Sequence, residues 1–149
     1  MFESCHSPGE VALVYAQRFG VPVRLFDRRL FFLTSLTLGA VAMPQQLGQR
    51  VRKTVGDQFP LPIIRHSERG GQWLFVVGPN RGHLRNRALP ALARHDARML
   101  ASGVRVWLPM SDYSVGWHWH SPLLAGEDAI PPRTRVLHAA LDVIEGGGC

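Results

Sequence analysis

Lysine is almost absent from this chain: sixteen of its 17 basic residues are arginine, and Lys53 stands alone. Cysteine is as scarce, with Cys5 and Cys149 near opposite ends and no CxxC between them. That spacing excludes a disulfide framework and a cysteine-based metal motif, and makes a reducing cytoplasm the expected compartment. No GxGxxG, P-loop, GxSxG or HExxH is present, so the nucleotide-loop, serine-hydrolase and zinc-protease signatures are all missing. The stretch Leu30–Gln49 is uncharged, but it holds Thr34, Ser35, Thr37, Pro44, Gln45 and Gln46. A membrane-crossing helix needs about 20 mostly apolar residues. A cleaved leader is equally unsuited, because Glu3, Glu10 and Asp27 precede the stretch. Buried strands are the better reading, and no membrane association is expected.

What is present is an ordinary globular composition, 46% hydrophobic and 19% charged over 149 residues. It suits one domain spanning residues 1–149 with a real core. The net charge is +6, and its distribution matters more than its total, because a GC-rich coding sequence favours arginine on its own. Between Arg50 and Arg105 eleven basic residues face only Asp57, Glu68 and Asp96. Such a local excess attracts phosphates, whereas a solvated arginine surface is the plainer alternative.

Local signals divide the chain into elements. Ser7 and Pro8 open a helix that Gly20 and Pro22 stop near Phe19. Val21–Phe26 and Leu30–Leu33 read as a hairpin across Asp27-Arg28-Arg29. Leu36–Met43 is an apolar strand, and Pro44 then opens a helix to Val55 with one buried stripe, Leu47, Val51 and Val55. Leu61–Arg65 and Gln72–Val77 form a second hairpin around Gly70-Gly71. Asn86 is placed to cap a helix through Leu100, followed by a strand Val104–Leu108. Trp117–His120 is a last strand, and Pro132–Ile144 a last helix with a frayed glycine tail. The order from Leu36 to Leu108 is β-α-β-β-α-β. The expected class is therefore α+β with a ferredoxin-like core, plus an N-terminal helix and hairpin and a C-terminal helix.

Few residues suggest chemistry. His118 and His120 share a strand face and could meet one metal, but no further ligands lie at metal spacing. Ser111, Asp112 and His118 make a hydrolytic trio of the kind that chance supplies. Trp73, Trp107, Tyr113, Trp117 and Trp119 cluster in the arginine-rich second half, where exposed rings stack on bases and buried ones fill the core.

The glycine-pair turn Gly70-Gly71-Gln72-Trp73-Leu74-Phe75 and the later Gly103–Ser111 segment, followed by Gly116-Trp117-His118-Trp119, resemble a known pattern. Their order is similar to the primase-polymerase domain at the front of bifunctional DNA primase/polymerase proteins, most of all the short actinobacterial versions. These signatures cover about half the chain, and none is specific alone. The resemblance implies an Asp-x-Asp strand, a histidine after the glycine pair and two-metal phosphoryl transfer. Here Gly39-Ala40-Val41-Ala42 stands where the two acids belong, and Trp73 where the histidine belongs. Glycine and alanine cannot hold Mg²⁺. Asp96 is a candidate remnant of the third acid.

The sequence therefore leads to a catalytically silent primase-polymerase-like domain, without cofactor or metal. It is expected to bind DNA or RNA, or a replication-associated protein partner. The expected contacts are Arg50, Arg52 and Lys53 on the polar side of the helix after Pro44, and Arg81, Arg85 and Arg87 in the following loop. The alternative is a protein-interaction or regulatory module in which Trp73 and Met43 fill the old cleft. An active nucleotidyltransferase built on unrecognised residues is a third reading. Oligomeric state leaves no mark in the sequence.

Overall fold

The computed structural model describes residues 1–67, 71–113, 116–126 and 128–146. Glu68, Arg69, Gly70, Ser114, Val115, Glu127, Gly147, Gly148 and Cys149 lie outside the described residues. With them lie half of the glycine-pair turn, the last two tail glycines and the second cysteine. Cys5 is a free thiol.

Ser7 opens helix α1 (Pro8–Leu13) by accepting a hydrogen bond from the Glu10 amide, with Pro8 in the first turn. The chain then widens into a π-helical turn, Val14–Arg18. Strands β1 (Arg24–Phe26) and β2 (Arg29–Leu33) form an antiparallel hairpin. Its two-residue turn, Asp27-Arg28, has φ of 51° and 63°. Positive φ at both central positions marks the turn whose twist matches that of the flanking strands.

Strand β3 (Gly39–Pro44) runs directly into α2 (Gln45–Val55), Pro44 ending one and capping the other. Leu47, Val51 and Val55 are buried as their spacing requires, and Gly48 joins them. Strands β4 (Ile63–His66) and β5 (Gln72–Val77) pair antiparallel, Ile63 opposite Phe75 and Arg65 opposite Trp73. The later elements are α3 (Ala88–Ala93), β6 (Arg98–Met99), β7 (Arg105–Trp107), β8 (Trp117–Ser121) and α4 (Arg133–Gly146).

The five-stranded sheet has the order β6-β3-β5-β4-β8, and a three-stranded sheet the order β1-β2-β7. Every pairing within them is antiparallel. The fold is a mixed α+β domain with four helices. Residues of α2, α3 and α4 bury one face of the larger sheet, against Val41, Met43, Ile63, Trp73 and Phe75. The three-stranded sheet and the N-terminal helix bury the other, where Tyr15, Phe32 and Val106 meet Ala40, Ile64 and Val76.

Three expectations are corrected. The strand starting at Leu36 begins at Gly39, because Ser35 folds the preceding residues into a turn by accepting from the Thr37 and Leu38 amides. The helix expected from Asn86 to Leu100 ends at Ala93, and Asn86 does not cap it. Arg87 stands at the cap in the left-handed region, and Asp96, at φ 60°, turns the chain so that Arg98 and Met99 pair with β3. The segment Val104–Leu108 consequently leaves the central sheet. β7 pairs with β2, Phe31 opposite Trp107, while β6 takes the edge beside β3. Leu30–Gln49 supplies two strands and the start of α2, and among the described residues no helix is long and apolar enough to cross a membrane.

Arg133, only 8% exposed, fastens the start of α4 to the larger sheet. Its Nε donates to the Gly78 carbonyl at 2.8 Å, and one terminal nitrogen donates to the carbonyls of Ser35 and Leu36 at 2.9 and 3.1 Å. Gly78 N–H returns a bond to the Pro131 carbonyl at 2.8 Å. Among the described residues the guanidinium is the side chain that closes these three carbonyls. Arg133→Met keeps the aliphatic stem and strands these acceptors, which costs about 3 kcal/mol. Urea unfolding should show a lower midpoint with an unchanged slope for this variant.

Candidate nucleic-acid interface

The positions where the resembled family places its acids sit in packed interior. Ala40, Val41, Ala42 and Met43 are fully buried, Val41 and Met43 in the helix-side core and Ala40 in the core beneath the second sheet. At Gly39 an added Cβ would stand 3.2 Å from an Arg133 nitrogen and 3.2 Å from the Met99 methyl. Trp73 is paired opposite Met43 and buried beneath α2. An added Cβ on Gly48 would stand 2.8 Å from the indole, so only glycine lets the helix lie this close. Gly39, Val41 and Trp73 sit in packed interior, and the concavity beside Trp73 opens only at its edge.

The open surface lies beside this packing. Arg52 and Lys53 leave α2 on its exposed side, and with Gln49, Gly56, Asp57, Trp73 and His120 they line a concavity of about 550 Å³. The His120 ring lies 4.3 Å from the Trp73 ring, centroid to centroid, and its Nε2 is 3.5 Å from an Arg52 nitrogen. Burial first, then the charges of Arg52 and Arg65 and the neighbouring His118, hold the His120 pKa below its ordinary value. A neutral imidazole leaves Arg52 and Lys53 as the cations of the concavity. The Trp73 indole N–H is buried without a partner among the described residues.

The six basic residues expected to make contacts divide into three situations. Arg50, Arg52 and Lys53 are exposed, and Arg50 donates to the Val143 carbonyl near the end of α4. Arg81 and Arg87 are exposed, Arg81 held through its backbone, which both donates to and accepts from the Thr134 hydroxyl. Arg85 is different. Its guanidinium pairs with Asp142 at 2.6 Å and Glu145 at 3.1 Å, both on α4. The two trios flank α4, since Arg50 reaches Val143 and Arg85 reaches Asp142.

Sequence reasoning missed a second depression of about 960 Å³, where Arg81 meets Arg135, His138 and Asp128 beside Pro131 and Pro132. The proline pair ahead of α4 was its one signal. The suspected hydrolytic trio is not assembled. Asp112 binds the Phe2 amide and the N-terminal ammonium, and Ser111 accepts from the Tyr113 amide. His118 Nδ1 is bonded to the Gly116 carbonyl. Among the described residues no three His, Cys, Asp or Glu side chains gather as a metal site.

His120 gives the concavity a pH signature. Its folded pKa is depressed below 6.5, so the neutral ring's contribution to stability is complete above that value. It is lost as pH falls from 6.5 through the lower folded value. Thermal melts between neutral and mildly acid pH should fall further for the parent than for His120→Gln; parallel curves would contradict the assignment.

No protein-family model, no curated protein and no solved structure matches this chain.

Proposed function

We propose that this protein is a cytoplasmic nucleic-acid-binding domain on a primase-polymerase-like frame, without nucleotidyl-transfer activity. One observation carries the binding: apart from Arg85, the exposed arginines have no carboxylate partner among the described residues. Among the described residues the ion pairs join the N-terminal ammonium to Glu3 and Asp112, and Arg85 to Asp142 and Glu145. Among the described residues the other exposed arginines and Lys53 have no carboxylate within ion-pairing distance. Uncompensated cations on one molecule are the electrostatic footprint of a polyanion partner.

Support for the frame comes from strand order. The run β3-α2-β4-β5-α3-β6 gives the sheet order β6-β3-β5-β4, and α2 and α3 lie on one face. That order supports reading the run as a split βαβ unit, with β6 in the part expected of Val104–Leu108. The protein-interaction module is the second reading. The filling of the old cleft by Trp73 and Met43 and the neutralised Arg85 favour it.

Binding should weaken steeply with salt, with a log–log slope of about −0.9 per duplex phosphate neutralised. The Arg50/Arg52/Lys53 triple alanine variant should flatten that slope by about three contacts, and the Arg81/Arg85/Arg87 variant by about two, because Arg85 is spoken for. Titrations of duplex DNA at two salt concentrations measure both. A parent without detectable binding at low salt decides for the protein-interaction module.

Purified protein with Mg²⁺ or Mn²⁺, a primed template and nucleotides should give no incorporation above background. Incorporation abolished by Asp96→Ala would establish the nucleotidyltransferase reading instead.

A further inference from the structure

The outer face of the three-stranded sheet interleaves arginines with aromatic rings. Strand alternation and register place Arg24 and Phe26 of β1, Arg29, Phe31 and Leu33 of β2, and Arg105 and Trp107 of β7 on this one face. The opposite face carries Leu30, Phe32 and Val106 into the core. Arg29 stacks 4.1 Å over the Trp107 ring. Arg105 lies 4.4 Å from the Phe31 ring, 5.2 Å from Phe26 and 5.3 Å from Trp107. Phe26 is 59% exposed, and Leu25 beside it 55%.

Two features identify what such a face takes. The first is charge: Arg24, Arg28, Arg29 and Arg105 have no carboxylate partner among the described residues, and Asp27 in the turn is the hairpin's one acid. The second is geometry. A guanidinium held over a ring by contact with its π-face still offers N–H groups to phosphate oxygens. The exposed ring of Phe26 and the accessible part of Trp107 offer stacking planes between these cations. Duplex bases are already stacked and cannot reach them, whereas an unpaired strand presents bases and phosphates together.

We infer that the outer face of β1, β2 and β7 binds single-stranded nucleic acid, its bases stacking on Phe26 and Trp107 and its phosphates held by Arg24, Arg29 and Arg105. The inference rests on the nucleic-acid reading above and adds to it a strandedness and a second face, separate from α2.

The test is fluorescence anisotropy with a labelled oligothymidylate of about a dozen nucleotides, a length within the reach of one small domain, and a blunt duplex of equal length. The parent should prefer the single strand. Phe26→Ala and Arg105→Gln should each weaken single-strand binding about tenfold and leave duplex binding within about twofold. The Arg50/Arg52/Lys53 variant should weaken both ligands. Oligothymidylate should also quench tryptophan fluorescence in the parent, and less so in Trp107→Phe. Phe26 is exposed, so its variant tests binding rather than folding; matched melting curves check this.

Equal losses on both ligands, or no loss on the single strand, overturn the assignment of this face. A parent that binds duplex alone overturns the inference and leaves the proposed function standing. A parent that binds neither removes both. Displacement of the oligonucleotide by polyglutamate of equal charge reduces the face to an anion exchanger and also overturns the inference.

Discussion

The double burial of β3 is the constraint on which the architecture depends. This strand has helices on one side and a second sheet on the other, and four successive residues, Ala40 to Met43, are sealed from water. A strand covered on both faces cannot alternate polar and apolar residues; every position must be apolar or small. The small residues let the layers approach closely, and the larger Val41 and Met43 fill the helix side. An aspartate introduced here would have to enter a close-packed interior without water, at several kcal/mol for the charge. The absence of acids from β3 is thus a packing requirement of this fold.

The same constraint explains the behaviour of Trp73 and Gly48. Trp73 sits opposite Met43 and presses on α2. The helix accommodates it by giving up a side chain at Gly48, which tertiary packing imposes against helix propensity. His120 completes the stack from β8 and rests partly in the open. The concavity beside Arg52 and Lys53 is therefore the rim of a hydrophobic plug.

Legibility in the sequence followed periodicity. The α2 stripe, the two hairpins and the C-terminal helix were readable because their apolar spacing or turn residues are strong local signals. β6 was not, since two residues carry no period, and its pairing with Val41 and Ala42 is purely tertiary. β7 was legible as a strand but not as a member of the other sheet, because pattern reveals a buried face without naming its partner. At the candidate interface, Arg50, Arg52 and Lys53 were readable as the off-stripe side of a helix. The capture of Arg85 by Asp142 and Glu145 was not, as it depends on how α4 docks. Nor was the Arg29–Trp107 stack, whose members come from distant segments.

The pairing of Phe31 with Trp107 has a kinetic consequence. The small sheet joins a hairpin from the first quarter of the chain to a strand far along it, across the loop that holds most of the central sheet. Closing so long a loop costs entropy before any contact repays it, so such pairings form late and slow the reaction. The free edge of β2 therefore waits until β7 has been made and can pair with it. The arginine–aromatic surface exists only once this pairing is made, and its presence reports that the long loop has closed.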